Sequence, residues 1–231
     1  MTDKKSLDFD FLDANPQKAD AMVVAPSDLS VPDKKENSTN FFQYFKQCFS
    51  NFPKFSKEHL DTKSPKYLLP VIWIVGMGTA ADRLTNSGST TWSEVWAIVI
   101  LGGILTGAIA YYIAGWFYYV RVGWSKGSGD IDTARNIYAY SSLAVAFVDI
   151  GSLVFNQMAY GNDYFYTYSS DASTVDIIFA LLAFAAIVYS ITISYRAVRE
   201  VMHVQKGRAI GWFIVLPALF YIAIFASAAF K

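Results

Sequence analysis

Five long apolar stretches fill the chain from Tyr67 onward, at about 67–84, 92–121, 133–158, 174–201 and 209–230. Only about 20 helical residues are needed to cross roughly 30 Å of hydrocarbon, so each stretch reads as a membrane span. Inside a bilayer every backbone N–H and C=O needs a partner within the protein, and stretches this closely spaced satisfy that only as helices. The segment Thr91-Trp92-Ser93-Glu94 has the capping-box pattern at the start of the second stretch. Asp132 is the expected N-cap of the third, and Ser173 of the fourth. The pattern predicts an all-α, polytopic membrane helical bundle of five transmembrane helices.

Upstream of residue 67 the pattern changes twice. Residues 1–38 are polar, mixed in charge and broken by Pro16, Pro26 and Pro32. They read as a disordered polar tail on the cytoplasmic side, because they bury too little apolar surface to offset ordering entropy. Residues 39–66 read as a juxtamembrane amphipathic helix and linker. Phe41, Phe42, Phe45, Phe49 and Phe52 recur at spacings of three and four, Ser38, Thr39 or Asn40 can cap the start, and Pro53 stops the run. Lys46, Lys54 and Lys57 flank it, which suits the headgroup boundary, although packing on the end of the bundle fits the same face. Residues 67–231 form the membrane domain.

Charge gives the sidedness. Counted near the span ends, lysine and arginine number four before the first span (Lys54, Lys57, Lys63 and Lys66), then one, three, zero and four in the successive gap regions, and one after the last span. Cytoplasmic segments carry the excess of Lys and Arg, so the N-terminus is expected inside and the C-terminus outside. The gap with neither cation carries Tyr160, Tyr164, Tyr166 and Tyr168, as an outer interfacial belt would.

Composition narrows the chemistry. The chain is 54% hydrophobic with a formal charge of zero, which argues against a nucleic acid partner, since that needs a concentrated basic face. Cys48 is alone, and with His59 and His203 it has no metal-ligand spacing, so neither a metal nor a cofactor is expected. The 123–130 loop is glycine-rich but lacks the preceding strand of a phosphate-cradling loop. No nucleophile motif occurs, and one deeply placed acid is too few for aspartyl proteolysis. The chain is not expected to be an enzyme.

Two features inside the spans stand out. Gly103, Gly107 and Gly115 mark a small-residue face on the second span, suited to helix packing within the bundle or between copies. Asp149 lies deep in the third span, where a charged carboxylate costs about 2.5–3.5 kcal/mol on insertion scales. It serves either as an interhelical hydrogen-bond partner or as the centre of a proton- or cation-linked path. Asp82 and Arg83 close the first span and read as rim residues.

The order of several short blocks is similar to that of the Yip-domain family, small multi-span proteins first known as partners of Ypt/Rab GTPases. Gly127-Ser128-Gly129 leads through Thr133-Ala134 into Ile137-Tyr138-Ala139-Tyr140-Ser141, where the family often has a Tyr-Gly-Tyr-Ser-like stretch. A second block joins Tyr195 and His203 to Lys206-Gly207-Arg208-Ala209 and Leu216-Pro217. Entering the first span, eukaryotic members carry Asp-Leu-Tyr-Gly-Pro, of which Pro70 remains here. The resemblance covers about residues 40–231 and is nearer to prokaryotic members, implying an integral protein of a prokaryotic inner membrane. It implies a non-enzymatic organiser or adaptor with its contact face in the cytoplasm. Tyr138, Tyr140, Arg196, Arg199, Lys206 and Arg208 are the expected contacts to protein partners or anionic lipid. A small transporter or channel-like subunit using Asp149, an accessory subunit of a larger complex, and a homo-oligomer remain the alternatives.

Overall fold

The computed structural model describes residues 40–84, 91–165 and 174–229. The polar tail, Ser173, Tyr166 and Tyr168 lie outside the described residues. Among those described there is no strand, and the order is helical throughout. Two short helices, α1 (Phe41–Ser50) and α2 (Phe52–Phe55), precede a π-helical turn at Ser56–Leu60. The first apolar helix is α3 (Leu68–Leu84). A second runs as α4 (Trp92–Ile109), a π-helical turn at Ala110–Ala114, and α5 (Gly115–Trp124). The third comprises α6 (Ile131–Ser141), α7 (Leu143–Tyr160) and a 3-10 turn at Gly161–Phe165. Then come α8 (Thr174–Val201), α9 (Lys206–Ile210), a π-helical turn at Gly211–Val215, and α10 (Leu216–Ala229).

Four of these helical stretches are long and apolar enough to cross a membrane: 92–124, 131–165, Ile177–Val201 and Lys206–Ala223. Helix α3, at 17 residues, spans about 25 Å at 1.5 Å per residue. The chain is an integral membrane protein, and its outward Leu, Ile and Phe side chains on α4, α8 and α10 are what lipid contact requires.

Helix α3 packs chiefly on α4 and then on α7. Close backbone approach makes the first contact possible. A Cβ on Gly76 would fall on the Gly103 carbonyl and the Gly107 backbone, and one on Gly107 would fall on the Ile72 carbonyl. A Cβ on Gly103 would strike Met77. Thr106 Oγ1 donates across the same seam to the Gly76 carbonyl at 2.9 Å. Gly115 admits the Arg135 side chain in the same manner. Gly103, Gly107 and Gly115 all lie in contacts within one chain.

Local details differ from the periodicity in three places, each for a physical reason. The third span is broken at Ser142, because Ser141 Oγ and Ser142 Oγ both donate to the Tyr138 carbonyl, at 3.1 and 2.8 Å. Back-bonding of this kind bends helices. Its N-cap is Asp130 rather than Asp132: Asp130 Oδ1 accepts from Thr133 N at 2.6 Å, while Asp132 pairs with Arg135. Thr91, in contrast, caps α4 as its motif implies, accepting from Glu94 N. On α1 the buried stripe is Tyr44 and Cys48, continued by Phe52 and Phe55, while Phe41, Phe42 and Phe49 face outward. The tyrosine wins the inner position because its hydroxyl finds partners there.

Candidate functional site

One end of the bundle concentrates polar chemistry. It is the end where residues 41–66 fold back under the helices. Tyr44 is 1% exposed, and its hydroxyl donates to the Lys66 carbonyl at 2.9 Å. The Tyr140 hydroxyl reaches the same carbonyl and lies 3.1 Å from the Tyr44 hydroxyl. A carbonyl has two lone pairs, so both phenols can be satisfied at once. One helical turn earlier, buried Asn136 donates through Nδ2 to the Leu60 and Thr62 carbonyls, at 3.2 and 2.7 Å, and accepts from the Tyr111 hydroxyl at 3.0 Å. Thr133 Oγ1 adds a bond to Asp61 at 3.4 Å. The π-helical turn at Ala110–Ala114 makes this possible by turning Tyr111 inward and leaving Tyr112 outward.

These bonds lock the N-terminal hairpin to the bundle. Aromatic rings complete the seal, with Tyr44 edge-on to Phe55 at 4.8 Å and to Tyr67 at 5.2 Å. Burial pushes the Cys48 thiol and the Tyr44 phenol up to about 12 each. Both groups therefore keep their protons at neutral pH. Tyr140 is 1% exposed and works inside this seal, while Tyr138 is half-buried and bonds Ser141 and Ser142 through its carbonyl. Asn136 carries no motif, and only its place among Tyr138, Tyr140 and Thr133 on a short helix could have hinted at its role.

Around this seal lies a basic surface. Arg196 and Arg199 on α8, and Lys206 and Arg208 on α9, are all exposed. Three elements that the charge pattern groups on one side are physically tied here. The Ser128 amide donates to the Met202 carbonyl, and the Gln205 amide to the Ser125 carbonyl, both at 2.9 Å. Lys57 pairs with Glu200 at 3.5 Å, linking the hairpin to the end of α8. Lys126 and His203 in these turns, and Tyr67 at the entry to α3, have left-handed φ angles of 54, 48 and 64 degrees. Non-glycine residues hold that conformation only where surrounding contacts over-determine it. Arg121 does not join the surface. Its Nε donates to the Trp212 carbonyl at 2.8 Å and its guanidinium lies 4.4 Å from the Phe213 ring centre.

Asp149 is partly buried on α7, within electrostatic reach of Asp82 of α3 and Tyr221 of α10. The nearness of the like-charged Asp82 was hidden in the sequence, where Asp82 reads as a rim residue. Among the described residues no cluster of three or more His, Cys, Asp or Glu could hold a metal ion.

A family model described as Yip1 domain matches residues 51–227, well over half of the chain. No curated protein and no solved structure matches it.

Proposed function

The chain belongs to the Yip1 domain family, and from that premise we propose that it is a five-span, non-enzymatic membrane organiser or adaptor. In this reading α3 is the first span, the N-terminus is cytoplasmic and the C-terminus lies on the far side. The sealed end then faces the cytosol of a prokaryotic inner membrane. Arg196, Arg199, Lys206 and Arg208 form its contact surface for protein partners or anionic lipid, where each basic side chain adds about 1 kcal/mol at an anionic membrane. The observation that supports this reading is the pair of backbone bonds from the 124–130 loop to the 201–206 turn, which tie together the segments flanking the exposed cations. Tyr138 and Tyr140 support that surface from within.

The test replaces all four cations by Gln and compares crosslinked partners, and flotation with anionic vesicles, against the wild type. Loss of partners or flotation is expected; an unchanged set of both overturns the assignment. A tag placed after Lys231 and reachable only from the cytosol would overturn the sidedness. The transporter reading has one observation in its favour, the grouping of Asp149 with Asp82 and Tyr221. Ion flux in liposomes at two pH values, lost in Asp149→Asn, is the result that would favour it over the organiser.

A further inference from the structure

Beside the α3–α4 seam the surface opens into a cleft of about 540 Å³. Small-molecule sites fall in the range of about 300–1,000 Å³. The cleft is lined by Leu69, Pro70, Ile72, Trp73, Ile104 and Ala108, with Tyr111 and Tyr112 at one end. Its origin is local. Glycines draw the two helices together at Gly76, Gly103 and Gly107, whereas the π-helical turn at Ala110–Ala114 interrupts the regular surface of the second helix. An apolar trough on a membrane-facing wall must be filled by hydrocarbon, since water there would find few polar partners.

One cation adjoins the tyrosine end of the cleft. The Arg135 guanidinium lies 5.0 Å from the Tyr112 ring centre, after its side chain crosses the gap left by Gly115. Its Nε is buried without a hydrogen-bond partner. Its NH1 meets Asp132 at 3.4 Å, long for a charge-assisted bond. The other nearby acid, Asp130, is engaged in capping α6. With Nε shielded and NH1 only loosely held by Asp132, the outer nitrogens of Arg135 are the donors that remain for an incoming oxyanion. Lys66 stands exposed just before α3, three residues ahead of Leu69 in the cleft wall. Tyrosines with a cation at one end of an apolar trough are the arrangement of an interfacial headgroup site.

We propose that this cleft holds one anionic glycerophospholipid, with an acyl chain along Leu69, Trp73 and Ile104 and its phosphate on Arg135. None of the four contact-surface cations, Arg196, Arg199, Lys206 and Arg208, lines the cleft. The ligand is bound by a buried-side cation and by shape, so it is retained where a bulk lipid exchanges.

The full-length chain in detergent, titrated with dioleoylphosphatidylglycerol or dioleoylphosphatidylcholine and followed by native mass spectrometry, tests this. One phosphatidylglycerol should bind about tenfold more tightly than phosphatidylcholine, the equivalent of one good charge-assisted contact. Arg135→Gln should reduce that preference to within about twofold, and Arg135→Lys should retain part of it. Ala108→Phe, which fills the trough, should weaken both lipids about tenfold, while Lys206→Gln with Arg208→Gln should leave the preference intact. Equal wild-type affinity for the two lipids overturns the proposal, as does a preference that survives Arg135→Gln but disappears with Lys206→Gln and Arg208→Gln. If Arg135→Gln does not fold, the Ala108→Phe variant decides: unchanged phosphatidylglycerol binding by a folded Ala108→Phe protein overturns the site.

Discussion

The two ends of this bundle are held together by different forces. At the sealed end, Tyr44, Tyr140, Asn136 and Tyr111 exchange hydrogen bonds with backbone carbonyls under a layer of aromatic rings. Toward the other end the contact between α3 and α4 is made by glycines, and a smaller cluster of Ala81, Trp92, Val95, Val99 and Leu153 closes it. Trp92 and Trp96 add single bonds there, from their indole nitrogens to the Gly161 carbonyl and to Gln157 Oε1. The difference follows from what each end must do. A returning N-terminal segment brings unpaired carbonyls into the protein, and buried polar groups need partners. Helices meeting in hydrocarbon have no hydrophobic drive toward each other, so they rely on close packing of small residues.

The sharpest way to break this comparison is to add volume where only backbone fits. Gly76→Leu should destabilise the bundle by about 3 kcal/mol or more, read as lost monodispersity and an early thermal transition in detergent. Gly151→Ala, where a Cβ meets nothing, should be neutral within about 0.5 kcal/mol, and a similar loss in both variants would remove the case for glycine packing. Next in size, Asn136→Leu leaves the Leu60 and Thr62 carbonyls and the Tyr111 hydroxyl without partners, and should cost about 2–3 kcal/mol in the same assay.

Smaller effects sharpen the contrast. Tyr44→Phe and Tyr140→Phe should each cost about 1 kcal/mol, and because both phenols share the Lys66 carbonyl their effects should not add in a double-mutant cycle. At the other end Trp92→Phe removes one bond to Gly161 and should cost about 1 kcal/mol or less. Alkaline pH gives the mildest probe. Burial raises Cys48 from its ordinary 9.0, and Tyr44 from 10.0, to about 12. The unfolded chain loses those protons first, so their contribution is intact below about pH 9 and drains away toward about pH 12. The melting temperature should fall across that window, and Cys48→Ala should flatten its lower part.

Much of the outline was legible in the chain because hydrocarbon imposes a coarse rule. Length and apolarity alone mark 92–124, 131–165, Ile177–Val201 and Lys206–Ala223. The Thr91 cap was readable from its capping box, and the family from blocks around Gly127, Tyr138 and Lys206. Details set by competition between neighbours were not. Asp132 reads as the cap of the third span until Asp130 is seen bonding Thr133 N and Asp132 is seen pairing with Arg135. Phe41 and Phe42 fit the same helical stripe as Phe52, yet face outward because Tyr44 gains two oxygen partners inside.

The sequence by itself determined that this polypeptide lives in lipid as helices, since no other backbone arrangement of such runs satisfies its own polar groups. Only the tertiary structure decided which polar side chains close the sealed end, that Gly76 faces Gly103 and Gly107, and that Arg135 reaches Tyr112 over Gly115. Those outcomes depend on contacts between residues far apart in the chain, and periodicity along one helix carries no record of what the neighbouring helix presents.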